Sequence, residues 1–420
     1  MTRNLPMSDQ RRAIEALRAG VPNRVAIRLL GTAEAKIYER FVENLQSCKK
    51  QLKDGGQATG QVIAGGFGTG KSHLLGYLQD LALKENFIVS RVVISKETPL
   101  FDLGKLYVSA IRNATVPKHN DDAMTAVLSK FGSKGDAYDE LLHWAESVES
   151  GLSPLFAGLL YLFPHPNTYP ERVQQIARFF AGDKLSLATV RQWLREVDAV
   201  KRFPLTPIKQ PDLIRQRLCF VPRLIAAAGY SGWVLLLDEV ELIGRYSLLQ
   251  RGRSYAELAR WLGLDAEERA SGVITVAAIT DDFTSEVIRN RRDDEHAPKI
   301  LSDKNERKAA ERARLGITTL MEKQVLLQTP TAELLQDNLN KIRRFYSDAY
   351  GWDATAVEIG EITKTKSMRQ YIKSWITSWD LERLYGIRPE IETVDVAPDY
   401  EENKDIEQAT ETNGDDPDDE

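Results

Sequence analysis

A glycine-rich segment carries the strongest chemical signal in the sequence, because it matches the P-loop pattern GxxxxGK followed by Ser or Thr. Its residues are Gly65, Gly66, Phe67, Gly68, Thr69, Gly70, Lys71 and Ser72. Glycines allow the backbone N–H groups and the N-terminus of the next helix to point at phosphate oxygens. We expect Lys71 to neutralise the β- and γ-phosphates of a nucleotide and the Ser72 hydroxyl to ligate Mg²⁺. We include the adjoining His73 in the predicted nucleotide-binding segment.

An apolar run that ends in two carboxylates predicts a second part of the same site. Residues 233–237 are Trp-Val-Leu-Leu-Leu, and Asp238 and Glu239 follow them in the Walker B form. A strand buried on both faces would deliver Asp238 to the C-terminal edge of a sheet, where it can hold Mg²⁺. Glu239 can then orient and polarise the attacking water. An Asp-Glu pair after a strand is also a common helix cap, but the P-loop favours the catalytic interpretation.

Five short apolar runs bounded by turn residues predict the elements that position these side chains. They are residues 61–64, 87–94, 233–237, 273–279 and 324–327. Their hydrophobicity is continuous rather than alternating, which indicates buried parallel strands. Helical patterns lie between them, for example at 73–83 and 254–262. The predicted fold class is therefore α/β, with a parallel sheet and right-handed crossovers.

The order of the elements predicts a subclass. One strand separates the P-loop strand from the Walker B strand, and Glu239 adjoins Asp238. This resembles the additional-strand, catalytic-glutamate (ASCE) branch of P-loop ATPases, whose AAA+ members have the sheet order 5-1-4-3-2, and the resemblance implies ATP as the nucleotide. The fourth strand then ends beside the P-loop in Thr280, Asp281 and Asp282. We predict that Thr280, rather than Asp281, acts as sensor 1; the alternative is that both residues cap the following helix.

Two helical regions lie outside the predicted sheet. Residues 101–230 contain several helical patterns and no convincing strand, which predicts a helical insertion. Residues 331–389 contain two amphipathic stripes, which predict a small helical module resembling an AAA+ lid. The resemblance implies that Arg369, near the start of the second lid helix, is a sensor 2 arginine that reaches the γ-phosphate. A solvent-facing arginine is the alternative.

The charge of the chain is unevenly distributed. The formal net charge is −5, but residues 391–420 contain thirteen carboxylates and one lysine and therefore carry −12. The remaining residues carry +7, which permits contact with DNA without demonstrating it. High charge and few aromatic residues predict that 390–420 is a disordered acidic tail. We expect ATP hydrolysis to be unchanged when the residues after Glu390 are removed.

Basic residues outside the nucleotide motifs have no single predicted role. One predicted helix carries basic side chains that either form ion pairs in solvent or contact a phosphate backbone, namely Lys304, Arg307, Lys308, Arg312 and Arg314. An arginine finger would come from a neighbouring subunit of a homo-oligomer, and its candidates are Arg292, Arg312 and Arg314. The sequence does not rank them.

The division of the chain follows from these patterns. We predict an N-terminal helical segment (1–58), a P-loop ATPase core (59–100 and 231–330), a helical insertion (101–230), a helical lid (331–389) and the tail (390–420). The composition contains no apolar run of membrane-spanning length, and the N-terminus lacks the apolar stretch of a signal peptide. We therefore expect a cytoplasmic protein with no membrane partner. The histidines and cysteines form no ligand spacing, so Mg²⁺ is the expected metal.

Several segments resemble a particular family, the BREX (bacteriophage exclusion) system ATP-binding proteins BrxD. They are AIEALRAGVPNR (13–24), GGFGTGKSHLL (65–75), VVISKETPL (92–100), LLLDEVELIGRYSLLQRGRSYAELARW (235–261), AAITDDF (277–283) and the pair AYGW and MRQYIKSWITSWDLERLY. The stretch after Walker B is the most specific, because generic AAA+ proteins lack it. The resemblance implies an ATPase of a bacterial antiviral defence system that works with a DNA-acting partner such as an Lhr-like helicase. A slow-turnover, ATP-dependent switch or scaffold uses the same site and remains the alternative.

Overall fold

The computed structural model describes residues 5–51, 56–119, 122–131, 135–165, 168–268, 270–357, 366–388 and 400–403. A six-stranded sheet forms the centre of this described part. Its strands are β1 (Gln61–Ala64), β2 (Ile88–Val93), β3 (Ala114–Thr115), β4 (Trp233–Asp238), β5 (Val273–Ile279) and β6 (Val325–Leu326). The sheet is covered by helices, so the predicted α/β class is confirmed.

The strand order is β3-β2-β4-β5-β1-β6, and the strands pair in parallel except for β2 with β3. The five predicted strands are all present, and without β3 their order is the predicted 5-1-4-3-2. The prediction that 101–230 contains no strand is wrong at Ala114 and Thr115, which pair antiparallel with Ser90 and Val89. A two-residue edge strand is too short to produce a periodic pattern, which is why the sequence did not indicate it.

The register of the sheet brings the ends of several strands to one edge. Ala64 pairs with Ile279, so the residues that follow β1 and β5 are neighbours. On the other side of β5, Asp238 at the end of β4 pairs with Val93 at the end of β2. All residues of β4 and β5 are buried, which explains their continuous hydrophobicity. The glycine-rich loop and the Walker B carboxylates therefore lie at the same C-terminal edge.

Helices at the start of the chain divide between two parts of the molecule. They are α1 (Met7–Ala19), α2 (Arg24–Leu30), α3 (Ala35–Gln51) and, after β1, α4 (Lys71–Lys84). α3 and α4 share an apolar core with one face of the sheet, through residues such as Phe41 and Leu78. In contrast, α1 and α2 contribute Ile14 and Leu17 of α1 and Ala26 of α2 to the core of the C-terminal helices. The N-terminal segment predicted as one unit (1–58) thus contributes to two cores.

The region 101–230 is helical apart from β3. Its helices are α5 (Leu103–Arg112), α6 (Ala123–Ser129), α7 (Asp136–Glu146), α8 (Pro154–Leu162), α9 (Pro170–Ala181), α10 (Leu187–Glu196) and α11 (Gln210–Ala227), with a 3₁₀ turn at Val148–Ser150. Their apolar side chains join those of the second sheet face in one continuous core. The predicted insertion is therefore packed against the sheet rather than built around a separate core.

The remaining helices follow β4 and β5. A 3₁₀ segment (Val240–Arg245) leads into α12 (Leu248–Trp261), and after β5 a π-helical turn (Thr284–Arg289) leads into α13 (Asp293–Asp303) and α14 (Arg307–Glu322). The last two helices are α15 (Ala332–Tyr350) and α16 (Met368–Tyr385). Leu335, Leu339 and Ile342 of α15 are buried against α1 and α16, which confirms the predicted amphipathic helices.

Candidate functional site

The glycine-rich segment forms a tight loop between β1 and α4. Gly68 and Gly70 have φ values of 74° and 107°, in the left-handed region that glycine adopts without a steric penalty. The Thr69 hydroxyl donates a 2.8 Å hydrogen bond to the carbonyl oxygen of Gly66 and closes the loop. α4 begins without a side-chain cap, so its first N–H groups form the backbone arrangement that binds phosphate.

The predicted phosphate-binding lysine lies across this loop. Lys71 is only 9% exposed, and its Nζ donates hydrogen bonds to the carbonyl oxygens of Gly65 at 2.7 Å and Gly66 at 3.2 Å. These contacts keep a positive charge beside the loop backbone, where phosphate oxygens would be bound.

A hydrogen bond joins the loop to the Walker B strand. Ser72 Oγ donates to Asp238 Oδ2 at 2.8 Å, and Asp238 is 3% exposed. The described residues contain no group of three or more His, Cys, Asp or Glu side chains that could hold a metal ion. The hydroxyl and carboxylate oxygens of this pair are nevertheless the hard ligands that Mg²⁺ prefers when phosphate oxygens and water complete its coordination. The pair therefore fits Mg²⁺.

Arg91 is a site residue that the sequence analysis missed. It lies on β2, and its Nη2 donates a 2.7 Å hydrogen bond to the same Asp238 oxygen that Ser72 contacts. The pairing of β2 with β4 explains how an arginine so far from the motifs reaches Asp238. A charged residue within the apolar run of β2 was the available signal.

The predicted catalytic glutamate has an unusual backbone conformation. Glu239 has a φ of 57°, a value that non-glycine residues rarely adopt, and such strain is concentrated at functional sites. Its side chain makes no capping hydrogen bond to the following 3₁₀ segment, so the capping alternative does not describe this carboxylate. Partial desolvation raises the pKa of Glu239, as does Asp238, whereas Lys71 and Arg369 lower it. Glu239 therefore lies within the field of both predicted phosphate-binding cations.

The end of β5 places its polar residues differently from the prediction. Thr280 is 1% exposed, and its hydroxyl is hydrogen-bonded to the hydroxyl of Tyr400. Neither Thr280 nor the exposed Asp281 is among the described residues that line the cavity beside the loop. The Asp281 carboxylate lies nearer the loop, with both oxygens 3.8 Å from the point that a Cβ on Gly66 would occupy. Neither the Thr280 nor the Asp281 side chain caps the following π-helical turn.

The predicted sensor 2 arginine lies at the loop. The backbone N–H of Arg369 donates a 3.3 Å hydrogen bond to the carbonyl oxygen of Gly68, and Nη2 donates at 3.3 Å to that of Gly20. Its guanidinium carbon lies 5.0 Å from the ring centre of Phe67, within cation–π range. A capping box made by Ser367 and Gln370 fixes the start of α16. Arg369 therefore has specific contacts, contrary to the solvent-facing alternative.

A cavity of about 200 Å³ adjoins the loop. Its walls come from the loop, the Walker B carboxylates, the α1–α2 segment and the two C-terminal helices. Apolar side chains that line the cavity include Val21, Pro22, Leu30, Leu334 and Ile372. His73 also lines it; its Nε2 is 2.9 Å from the carbonyl oxygen of Gly31, and burial lowers the pKa of this histidine. The contribution of α1 and α2 to this cavity was not predicted.

Glu241 is a further carboxylate of the cavity that the sequence analysis did not single out. Burial raises its pKa to about 7, and Lys71 opposes this shift. The sequence signal that could have identified Glu241 was a third acidic residue two positions after Glu239.

The candidate arginine fingers lie outside the residues that line the cavity. Arg312 is 5% exposed and forms ion pairs with Glu268 at 3.0 Å and Asp265 at 3.5 Å, so in this structure it is not available to a neighbouring subunit. Arg292 and Arg314 are exposed.

The predicted basic helix is interrupted. Lys304 follows the end of α13, whereas Arg307 and Lys308 begin α14. Lys308 pairs with Glu267 at 3.0 Å, as expected for an ion-paired surface.

Four residues of the predicted acidic tail are described, and they are packed against the protein. Tyr400 contacts Thr280 and Asp282, Glu402 pairs with Arg251 at 2.6 Å, and the amide of Asn403 donates to the carbonyl oxygen of Arg245 at 3.1 Å. Tyr400–Asn403 therefore have specific partners in the described part of the chain, and the disorder expected for 390–420 stays a prediction. The rest of the predicted tail lies outside the described residues.

The parallel sheet, the glycine-rich loop and the Ser72–Asp238 contact are consistent with the P-loop class of α/β nucleotide-binding proteins. The chain belongs to the family of BREX system ATP-binding proteins BrxC/D, whose family model matches residues 5–137 and 211–382. This match confirms the resemblance seen in the sequence and supports an ATP-binding role in a defence system. The unmatched residues 138–210 fall within the helical region between β2 and β4.

Comparison with curated proteins and with solved structures gives no match. Among the described residues, no helix is both long and apolar enough to cross a membrane.

Proposed function

We propose that the protein is a Mg²⁺-dependent ATPase with an AAA+-like core, acting in a bacteriophage-exclusion defence system. The observation that carries this proposal is the 2.8 Å hydrogen bond from Ser72 Oγ to Asp238 Oδ2. A glycine-rich turn with a purely structural role does not require a hydroxyl paired with a buried carboxylate. A nucleotide-bound Mg²⁺ does require such a pair, because one side chain ligates the ion and the other orients its water.

The residues that line the cavity favour one orientation of ATP. The loop backbone, Lys71 and the N-terminus of α4 would bind the triphosphate, since all three present positive or partially positive groups. The apolar side chains that the α1–α2 segment and the C-terminal helices contribute to the cavity would then enclose the adenine. The matched family, described as ATP-binding, supports this choice of nucleotide.

Hydrolysis would depend on residues at the C-terminal edge of the sheet. Mg²⁺, when bound to Ser72 and Asp238, would neutralise phosphate charge. Glu239 would accept a hydrogen bond from the attacking water and orient it toward the γ-phosphate. Lys71 and Arg369, whose charges lower the pKa of this carboxylate, would stabilise the negative charge that develops on the phosphate oxygens. Arg369, on the first turn of α16, would also link the lid to the nucleotide.

The partners follow from the family and from charge rather than from a contact. We propose a DNA-acting protein such as an Lhr-like helicase as the partner, because the resemblance of the sequence to the BrxD family implies one. The basic character of residues 1–390 is compatible with DNA nearby. A homo-oligomer would supply an arginine finger from a neighbouring subunit, with Arg292 and Arg314 as the exposed candidates.

The test is Mg²⁺-dependent ATP hydrolysis by the purified protein and by Ser72→Ala. The wild type should hydrolyse ATP only in the presence of Mg²⁺, and Ser72→Ala should lose most of this turnover while retaining its thermal stability. Ser109→Ala, in the helical insertion, is a matched control. Turnover that survives chelation of Mg²⁺ would contradict the proposal.

A slow ATP-dependent switch or scaffold is the second candidate. The observation in its favour is that Ser72 and Arg91 both donate to Asp238 Oδ2, so this oxygen must exchange a partner before it can serve Mg²⁺. Steady-state hydrolysis with and without DNA and the helicase separates the two functions. Stimulation by either supports a motor, whereas unchanged slow turnover with nucleotide-dependent docking supports a switch.

A further inference from the structure

The C-terminal residues Tyr400–Asn403, here called the clamp, lie against the end of β5. The Tyr400 hydroxyl donates a 2.7 Å hydrogen bond to Asp282 Oδ1 and is also hydrogen-bonded to the Thr280 hydroxyl. Its ring packs edge-on against Phe283, with the ring centres 6.1 Å apart. Tyr400 therefore contacts Thr280 and Asp282, which adjoin Asp281 in the chain, and also Phe283.

The clamp is held by arginines of two neighbouring segments. Arg291 donates one hydrogen bond to the carbonyl oxygen of Tyr400 and another, of 2.8 Å, to that of Gly244. Glu402 accepts a 2.6 Å hydrogen bond from Arg251, which is 3% exposed and also pairs with the buried Asp293. The Arg251–Asp293 pair is shielded from solvent, whereas the Glu402 side chain is 55% exposed, so the contact of the clamp with Arg251 is partly screened by water. The contacts account for the position of this short segment.

The number of available protons restricts what Thr280 can do. A tyrosine hydroxyl has one proton, and Tyr400 donates it to Asp282, whose carboxylate has none to give. Tyr400 must then accept the proton of Thr280. Burial raises the pKa of Tyr400, so the phenol retains its proton. While the clamp is in place, Thr280 has no proton left to donate to a phosphate.

Asp281 is the residue of this segment that faces the loop. Both of its carboxylate oxygens lie 3.8 Å from the point that a Cβ on Gly66 would occupy. A carboxylate repels phosphate but accepts hydrogen bonds from water, so its compatible partner is the attacking water or a water of the metal.

We propose that Tyr400 is a positioning residue that fixes Thr280 and Asp282 and thereby holds Asp281 beside the phosphate loop. The inference rests on the proposed ATPase function and names Asp281 as the β5 residue that acts on water. In this proposal, the hydrogen bond of Thr280 to Tyr400 fixes the backbone next to Asp281, and Thr280 itself does not contact the phosphate. From the sequence alone, all residues after Glu390 are expected to be dispensable for hydrolysis. Under the proposal, only the residues after Asn403 are expected to be dispensable.

The experiment compares Tyr400→Phe, Asp281→Asn and the double variant in the full chain. Tyr400→Phe keeps the ring and removes both hydrogen bonds, so we expect kcat to fall about tenfold with KM for ATP changed less than about twofold. The double variant should be no slower than Asp281→Asn, because the two residues act through one group. Tyr385→Phe, an exposed tyrosine of α16, is the matched control. Unchanged kcat in Tyr400→Phe, or additive losses in the double variant, would overturn the proposal.

Two truncations define the boundary. A chain that ends at Asn403 should retain wild-type kcat, whereas a chain that ends at Glu390 should lose at least as much as Tyr400→Phe. Equal kcat for the two truncated chains would also overturn the proposal.

Hydrogen exchange separates this proposal from the proposed function. In the full chain without nucleotide, the Asn403 amide should be protected, because it is bonded to the carbonyl oxygen of Arg245. The peptide covering 280–283 should exchange faster in Tyr400→Phe than in the wild type. If the wild type does not hydrolyse ATP, the proposed function fails while protection at Asn403 still supports the clamp. Rapid exchange at Asn403 contradicts the clamp whether or not ATP is hydrolysed.

Discussion

Two regions adjoin the phosphate loop, the lid and the end of β5 that contacts the clamp. On the lid side, the amide of Arg369 donates a hydrogen bond to the carbonyl oxygen of Gly68, and its guanidinium donates one to that of Gly20, both at 3.3 Å. The guanidinium also lies over the Phe67 ring. On the clamp side, hydroxyl and carboxylate groups are connected to the buried pair of Arg251 and Asp293. Both sides reach the same loop with different kinds of contact.

This difference indicates which side responds to the nucleotide. Long hydrogen bonds to carbonyl oxygens and a partly exposed cation–π contact contribute little individually, so Arg369 can exchange them for phosphate oxygens. A buried charge network is costly to disrupt, because any unpaired member loses both its partner and its hydration. We therefore expect ATP to move the lid and to leave the β5 side in place.

The largest predicted effect on ATP binding comes from removing the Lys71 ammonium group at the phosphate loop, which both regions adjoin. Lys71→Ala should weaken ATP binding about a hundredfold or more, because the triphosphate loses its buried counter-charge. Titration of the variant with a fluorescent ATP analogue measures this loss. Lys84→Ala, at the exposed end of the same helix, should bind as the wild type does. Comparable affinity in Lys71→Ala and Lys84→Ala would argue against a nucleotide site at this loop.

A smaller effect on ATP binding is expected from a substitution that displaces only Arg369 of the lid. A Cβ on Gly20 would lie 2.7 Å from Arg369 Nε, and Gly20 has a φ of 70°. Gly20→Ala should displace Arg369 and raise KM for ATP about tenfold, as measured by steady-state kinetics.

Gly386→Ala separates the displacement of Arg369 from backbone strain. Gly386 has the same φ of 70° at the end of a helix, but nothing lies within 4 Å of its Cβ position. Both variants should lose similar thermal stability, and only Gly20→Ala should lose affinity. Equal KM values would mean that Arg369 does not contribute to ATP binding.

A separate prediction concerns folding stability rather than ATP binding and involves the pH dependence of the Glu241 carboxylate. Its pKa in the folded protein is about 7, above its ordinary value of 4.5, so protonation favours the folded state. This contribution is complete below about pH 4.5 and is lost as the pH rises through about 7, by at most about 3 kcal/mol. Urea unfolding of the nucleotide-free protein at about pH 5 and pH 8 should show a larger decrease for the wild type than for Glu241→Gln. Parallel decreases would show that Glu241 does not titrate in this range.

Local sequence patterns were sufficient for the loop, the Walker B carboxylates and the strands, whereas the sheet order followed from the resemblance to AAA+ ATPases. A glycine-rich loop between a strand and a helix is encoded by adjacent residues, and buried strands appear as continuous apolar runs. Lys71, Ser72 and Asp238 were therefore predicted and are brought together. The resemblance to an AAA+ lid implied a role for Arg369, and its backbone amide contacts the loop at Gly68.

Contacts between residues distant in the sequence were not predictable from these patterns. Arg91 reaches Asp238 only through strand pairing, and α1 contributes to the cavity only because it packs on the lid. The composition of 390–420 indicates disorder on average, but Tyr400 finds a hydroxyl, a carboxylate and an aromatic ring that are more than a hundred residues away. Average charge does not identify the few residues of a tail that have specific partners.

The most direct test of the central claim is the Glu239→Gln variant, assayed for ATP binding and ATP hydrolysis under the same conditions. The amide keeps the shape of the side chain but cannot accept the proton of the attacking water. We predict wild-type affinity for ATP with turnover reduced at least about a hundredfold. Turnover equal to that of the wild type would contradict the assignment of Glu239 as the base and, with it, the proposed hydrolytic site.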